Sequence, residues 1–211
     1  MLRTAPEAQR VAPTRIVDQF LFDLDGTITR QEILPEIARA IGVQKEIDDL
    51  TRRTMAGEFP FESSLRRRVE ILRRVPVSQV REIVAGIEVD PHIEAFLADN
   101  RDRCTIVTGN LDVWIEGLVE RLGVPCISSI ALVEGDRLVE LVSVLDKAEA
   151  VHGFAGTLCS VGDGYNDLGL MAAADLGIAY GGVHAPAPGL LDVATHAVYD
   201  PVRLCELLSG W

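Results

Sequence analysis

Apolar positions change their rhythm twice along the chain. Residues 16–22 form an almost continuous apolar run rich in β-branched and aromatic side chains, which predicts a buried strand. The spacing then becomes helical. Residues 31–41 stop at Gly42, residues 44–56 at Gly57, residues 61–75 at Pro76 and residues 78–85 at Gly86, each with apolar positions on one face and a breaker behind them. Four short helices with no strand between them predict a small bundle. Pro91 opens another helix to Asn100, and the second change of rhythm comes after it. Strands are expected at 103–108, 126–128, 158–161, 175–179 and 196–199, and helices at 111–122, 146–154, 168–173 and 201–208. Residues 131–133 and 138–142 flank Glu134-Gly135-Asp136-Arg137 as a hairpin. Such alternation predicts a parallel sheet with helices on both faces. The expected fold is α/β, with a Rossmann-like parallel-sheet core over 16–28 and 91–211 and an inserted small helical-bundle cap over 29–90.

Composition narrows the class. Of the 211 residues, 48% are hydrophobic and 25% charged, ordinary values for a globular chain long enough to bury a sizeable core. No run approaches the roughly 18 apolar residues of a membrane span, so no membrane association is expected. Residues 1–15 carry Arg, Glu and Pro without an apolar stretch, and are read as a disordered leader of a cytoplasmic protein. Cys104, Cys126, Cys159 and Cys205 lack metal-ligand spacing and are read as small buried hydrophobes. A net charge of −12 argues against nucleic acid as a partner. The charge is uneven: from 30 to 90 acids and bases balance at 11 each, and the flanks hold 21 acids against 9 bases. That shift marks the helical stretch as an insertion.

Candidate chemistry gathers where strands end. Asp23-Leu24-Asp25-Gly26-Thr27 follows the first strand, Thr108-Gly109-Asn110 follows Thr105-Ile106-Val107, and Gly162-Asp163-Gly164-Tyr165-Asn166-Asp167 follows Cys159-Ser160-Val161. Lys147 stands near a helix start, one of only two lysines beside 18 arginines. Singly, each patch is also an ordinary turn or helix start. In a parallel sheet, however, the carboxyl ends of the strands share one edge. There they would assemble carboxylates, a hydroxyl, glycine-opened N–H groups and one ammonium, an inventory suited to a phosphoryl group held against Mg²⁺.

In this order the four patches resemble the motifs of the haloacid dehalogenase-like hydrolase superfamily, over residues 16 to 180. The resemblance implies that Asp23 is a nucleophile forming an aspartyl-phosphate and that Asp25 is the general acid and base. It implies Mg²⁺ held by Asp23, the Asp25 backbone carbonyl and Asp163, with Asp167 supporting. Thr108, Gly109, Lys147 and Asn166 would bind the phosphate. The cap is similar to that of the phosphoserine phosphatases in Arg30-Gln31-Glu32, in residues 51–57 and in residues 61–68. By position, Glu32 would meet a substrate ammonium and Arg68 a carboxylate, while Met55 and Phe61 shield the site. Periodicity bears on the arginines: Phe61, Leu65, Arg68 and Leu72 share a stripe. Arg66, four residues from Glu62 and Glu70, reads as a surface ion-pair residue. Two positions depart from that pattern, Asn110 replacing a usual Gly and Tyr165 a usual small residue. The expected function is hydrolysis of phosphoserine or a similar small zwitterionic phosphate ester by a monomer or homodimer. The rivals are a phosphatase or phosphotransferase for another small metabolite and a phosphate-sensing module.

Overall fold

The computed structural model describes residues 16–55 and 57–211, apart from the Met55 side chain. The expected leader, 1–15, lies outside the described residues. Seven strands form one sheet in the order β4-β3-β2-β1-β5-β6-β7. They are β1 (Gln19–Phe22), β2 (Cys104–Leu111), β3 (Cys126–Glu134), β4 (Arg137–Ser143), β5 (Leu158–Gly162), β6 (Leu176–Tyr180) and β7 (His196–Val198). Neighbours run parallel except in the β3–β4 hairpin. This is the α/β class that the alternating pattern predicts.

The central strand β1 is buried on both faces, as a continuous apolar run requires. Phe20 and Phe22 lie 5.3 and 6.0 Å, ring centre to ring centre, from Phe96. Leu21 points to the opposite face and packs with Val107, Leu158 and Leu170. Each such side chain contributes about 1.5–3 kcal/mol by leaving water, so this short strand is fixed by packing. Its register sets the chemistry: Phe22 pairs with Ile106 of β2 and with Val161 of β5. The loops that leave these three strands therefore emerge at one edge, beside the strand at which the winding reverses, where open α/β sheets form their crevice.

Between β1 and β2 come α1 (Ile33–Ala40), α2 (Gln44–Met55), α3 (Phe61–Leu72) and α4 (Val77–Ala85). Ile37, Ile47, Leu65, Leu72 and Val80 join the same apolar cluster as Phe20 and Phe22. The two chain crossings into these helices are clasped together. Thr29 bridges Val89, the Arg30 N–H donates to the Glu88 carbonyl at 2.8 Å, the Asp90 N–H donates to the Ile28 carbonyl at 3.0 Å, and Arg30 pairs with Asp90 at 3.1 Å. Asp90 also caps α5 (Pro91–Asp99) by accepting from the His92 and Ile93 N–H groups. The remaining helices are α6 (Asp112–Leu122), α7 (Lys147–Ala150), α8 (Leu168–Ala173), α9 (Pro188–Val193) and α10 (Pro201–Ser209).

Several expected elements are redrawn. Strand β1 starts at Gln19, leaving out Ile16, which is 55% exposed, and Val17, which is buried in the core without belonging to the strand. The separate strands expected at 126–128 and 131–133 are one, β3, with register irregularities. Ser129 sustains it: its buried hydroxyl donates to the Gly109 carbonyl at 2.8 Å and accepts from the Leu145 N–H at 3.1 Å. Strand β2 runs past Thr108 to Leu111. The helix expected at 146–154 is one α-turn, α7, followed by a 3₁₀ turn at Val151–Gly153. Helix α9, opened by Pro188, lies where the pattern gave no element. All four cysteines are free thiols, with Cys104 and Cys159 buried.

Candidate active site

The strand ends converge as their register requires. Asp23, 4% exposed, stands at the end of β1. Buried Lys147, the first residue of α7, donates to Asp23 Oδ1 and, at 2.5 Å, to Asp167 Oδ1. The other Asp167 oxygen accepts from the Asp163 and Gly164 N–H groups at 3.1 and 3.0 Å. Gly162 permits this turn, since a Cβ there would lie 2.5 Å from the Asp167 carboxyl carbon. Asp163 is 3% exposed, and its Oδ2 has no hydrogen-bond partner. Thr27 Oγ1 sits 3.5 Å from Asp163 Oδ1.

Three buried carboxylates therefore gather beside one ammonium that bonds two of them. Burial, then Asp167, pushes the Asp23 carboxyl well above its ordinary range. Burial, then Asp23 and Asp167, does the same to Asp163. For Lys147 burial acts downward, but Asp167 and Asp23 outweigh it and raise the ammonium. Carboxylate oxygens of Asp23, Asp163 and Asp167 lie within 4.8 Å of one another. An all-oxygen donor set, with an unpartnered oxygen and more negative charge than one lysine balances, fits a hard divalent cation such as Mg²⁺.

Asp25 is set differently. Its Oδ1 accepts from the Ile33 N–H at 2.7 Å, anchoring the N-terminus of α1, and its Oδ2 accepts from Asn110 Nδ2. Burial, followed by the nearby Glu32, holds its carboxyl up at about 7. It faces a cavity of about 520 Å³, open mouth included, that Asp23, Asp163, Gly109 and Asn166 also line. Thr108, Lys147 and Asp167 are buried, outside that lining set.

The opposite wall comes from the helices, with Glu32, Phe61 and Arg68 lining it. Arg68 is 6% exposed, as the apolar stripe predicts. It donates to Thr51 Oγ1 at 3.2 Å and leaves its buried Nε unpartnered. Arg66 instead pairs with Glu62 at 2.8 Å on the surface. Phe61 presses on the second strand end: a Cβ on Gly109 would lie 2.1 Å from its ring. The Met55 side chain lies outside the described residues. The two unusual positions separate. Asn110 lines the cavity, whereas Tyr165, 44% exposed, lies against Gly57 and Gly189.

One residue that touches the cavity's lining carries no motif signal in the sequence pattern. His184, in the loop after β6, places Nε2 3.3 Å from Glu32 Oε1 and Nδ1 3.1 Å from Asp163 Oδ2. Its only sequence signal is its position after a strand of the same parallel set. Gly26, at φ +70°, makes room for it, since a Cβ there would lie 2.9 Å from His184 Nε2.

The haloacid dehalogenase-like hydrolase family model matches residues 20–172, and the chain belongs to that family. Within it, the similarity runs to phosphoserine phosphatases, and by class the chain is a phosphatase. The phosphoserine phosphatase of Methanocaldococcus jannaschii is 31% identical over 176 residues, which cover 76% of this chain and 83% of that one. Those of Vibrio cholerae and Mycobacterium tuberculosis are 35% and 30% identical over 76% and 86% of this chain. The alignment spans only about half of these two relatives, 54% and 47%. A solved substrate-bound phosphoserine phosphatase complex aligns with TM-score 0.79 and 26% identity, over 93% of this chain and 99% of that one. A phospho-aspartyl intermediate analogue of phosphoserine phosphatase aligns with TM-score 0.78 and 26% identity, over 91% and 99%. Among the described residues no helix is long and apolar enough to cross a membrane.

Proposed function

We propose that this chain is a Mg²⁺-dependent phosphomonoester hydrolase that works through an aspartyl-phosphate on Asp23, with phosphoserine or a similar small zwitterionic ester as substrate. The observation that carries the reading is one cavity with two unlike walls. On the sheet side stand Asp23 and Asp25; on the helix side stand Glu32 and buried Arg68. Asp23 attacks phosphorus, the bond from phosphorus to the ester oxygen breaks, and Asp25 gives its proton to the departing oxygen. Water then attacks the phosphorus held on Asp23 while Asp25 takes the water proton, and phosphate leaves. Lys147, the Thr108 hydroxyl, the Gly109 N–H and Asn166 bind the charge spread over the phosphoryl oxygens. Asp23, the Asp25 backbone carbonyl and Asp163 would hold Mg²⁺, with Asp167 behind them, supplying the positive charge that lets an anionic nucleophile meet an anionic ester. The helical insertion acts as a cap: Glu32 takes the substrate ammonium, Arg68 the carboxylate, and Phe61, with Met55, keeps water out.

Phosphate release from a panel of small esters tests the reading. Phosphoserine is expected to exceed its des-amino and decarboxylated analogues in kcat/KM by about tenfold or more, the scale of one charge-assisted contact. EDTA should abolish release and excess Mg²⁺ restore it. Equal use of all three esters would remove Glu32 and Arg68 as the substrate readers.

The Asn110 contact makes a second, separable prediction. If Asn110 aims the Asp25 carboxyl, Asn110→Gly should lower kcat on alkyl phosphates by about tenfold or more, a fraction of what a general acid supplies. p-Nitrophenyl phosphate, whose leaving oxygen needs no proton, should lose far less. Equal losses on both esters would assign Asn110 a purely structural part.

A further inference from the structure

His184 faces two carboxylates, and its two nitrogens cannot be treated alike. Nε2 is 3.3 Å from Glu32 Oε1, in reach of a hydrogen bond in which the imidazole donates. Nδ1 is 3.1 Å from Asp163 Oδ2, yet both atoms are buried and neither has a hydrogen-bond partner. With the proton on Nε2, the Nδ1 lone pair meets a carboxylate oxygen with no hydrogen between them. A proton on Nδ1 would make the contact an ion pair; a metal cation between the two atoms resolves it equally. Two ligands about 2.1 Å from an ion are separated by about 3.0 Å at a right angle and by about 3.4 Å at the tetrahedral angle, and the spacing here, 3.1 Å, is near the first and short of the second. A histidine that ligates through one nitrogen usually donates its other N–H to a carboxylate, which fixes the tautomer; Glu32 is in place to accept it. Donor atoms of Glu32, Asp163 and His184 all lie within 4.8 Å of one another.

We propose that Asp163 Oδ2 and His184 Nδ1, with Glu32 as the partner of His184, form a second divalent-cation site at the cavity edge, beside the all-carboxylate set and sharing Asp163 with it. Its nitrogen donor favours Zn²⁺ or Co²⁺ over Mg²⁺. The site goes beyond the hydrolytic reading and is tested by binding alone. Zn²⁺ is titrated calorimetrically into the full chain in excess Mg²⁺, as wild type and as His184→Ala. The expected result is one Zn²⁺ site in the wild type, weakened by at least about tenfold in the variant, the least that disturbing a ligand shell costs, with Mg²⁺ affinity unchanged. Equal Zn²⁺ affinity in the two proteins, or parallel losses of Zn²⁺ and Mg²⁺, would overturn the site. A second arm uses wild-type protein labelled with ¹⁵N in its histidines, the His184 signals being assigned by their absence in His184→Gln. Zn²⁺ should shift the His184 Nδ1 signal while Nε2 keeps its proton; an unmoved His184 signal would also overturn the proposal.

Discussion

Asp23→Asn is expected to abolish turnover, by more than about 10³-fold in kcat as for other covalent nucleophiles, without unfolding the protein. The two halves of this result are linked. Ionised Asp23 is held against burial and against Asp167, so its carboxyl lies well above the ordinary range. A carboxyl whose folded pKa is raised opposes folding at any pH above its unfolded value, because the folded state disfavours the charged form. A neutral amide of the same shape relieves that opposition. The variant should therefore melt, in EDTA, at the same temperature as wild type or higher, while releasing no phosphate. A clear fall in melting temperature would mean that Asp23 serves mainly as a counter-ion for Lys147, and retained turnover would remove it as the nucleophile.

Lys147→Met is expected to do the reverse to stability. Lys147 is 3% exposed and donates to both Asp23 and Asp167, so its loss leaves buried carboxylates without their only ammonium. Removing one partner of a buried ion pair costs about 3–5 kcal/mol, which for a chain of this size is roughly 10 °C in melting temperature. Because the damage is uncompensated negative charge, added Mg²⁺ should restore part of the loss in the variant and shift the wild type less. Activity should fall by about 10²-fold or more, the scale of one phosphoryl-binding donor, and Mg²⁺ should not restore it. A melting curve indifferent to Mg²⁺ would contradict this account of the site's charge.

These expectations were largely legible in the chain because the chemistry sits where local patterns change. Asp23, Thr108 and Asp163 each follow an apolar run, and parallel pairing alone brings the ends of such runs to one edge. Arg68 was separable from Arg66 for a similar reason, since helical spacing distinguishes a stripe from a surface. The features that stayed hidden depended on contacts between distant segments. Ser128-Ser129 reads as a break, and only the Gly109 and Leu145 backbone groups that Ser129 serves make it part of a strand. His184 stands alone in a loop of Gly, Ala and Pro with no spacing to announce it, and its importance rests on how close Gly26 lets it come. Asn110 and Tyr165 look like equivalent departures in the sequence, and depth alone tells them apart: one side chain enters the cavity and the other turns outward.

The clasp between residues 28–30 and 88–90 has a consequence for how the molecule assembles. An inserted segment normally adds a loop that must close before the strands on either side of it can pair. Here the backbone bonds at Arg30 and Asp90 seal the insertion at its root, so β1 and β2 meet as if joined by a short connection, whatever lies beyond the clasp. The pairing of Phe22 with Ile106 is thus reached across a sealed root, while the helices beyond it share the apolar cluster of Phe20 and Phe22. In the proposed function, the segment that would read the ester thereby enters and leaves at one fixed point beside the strand ends that would cleave it.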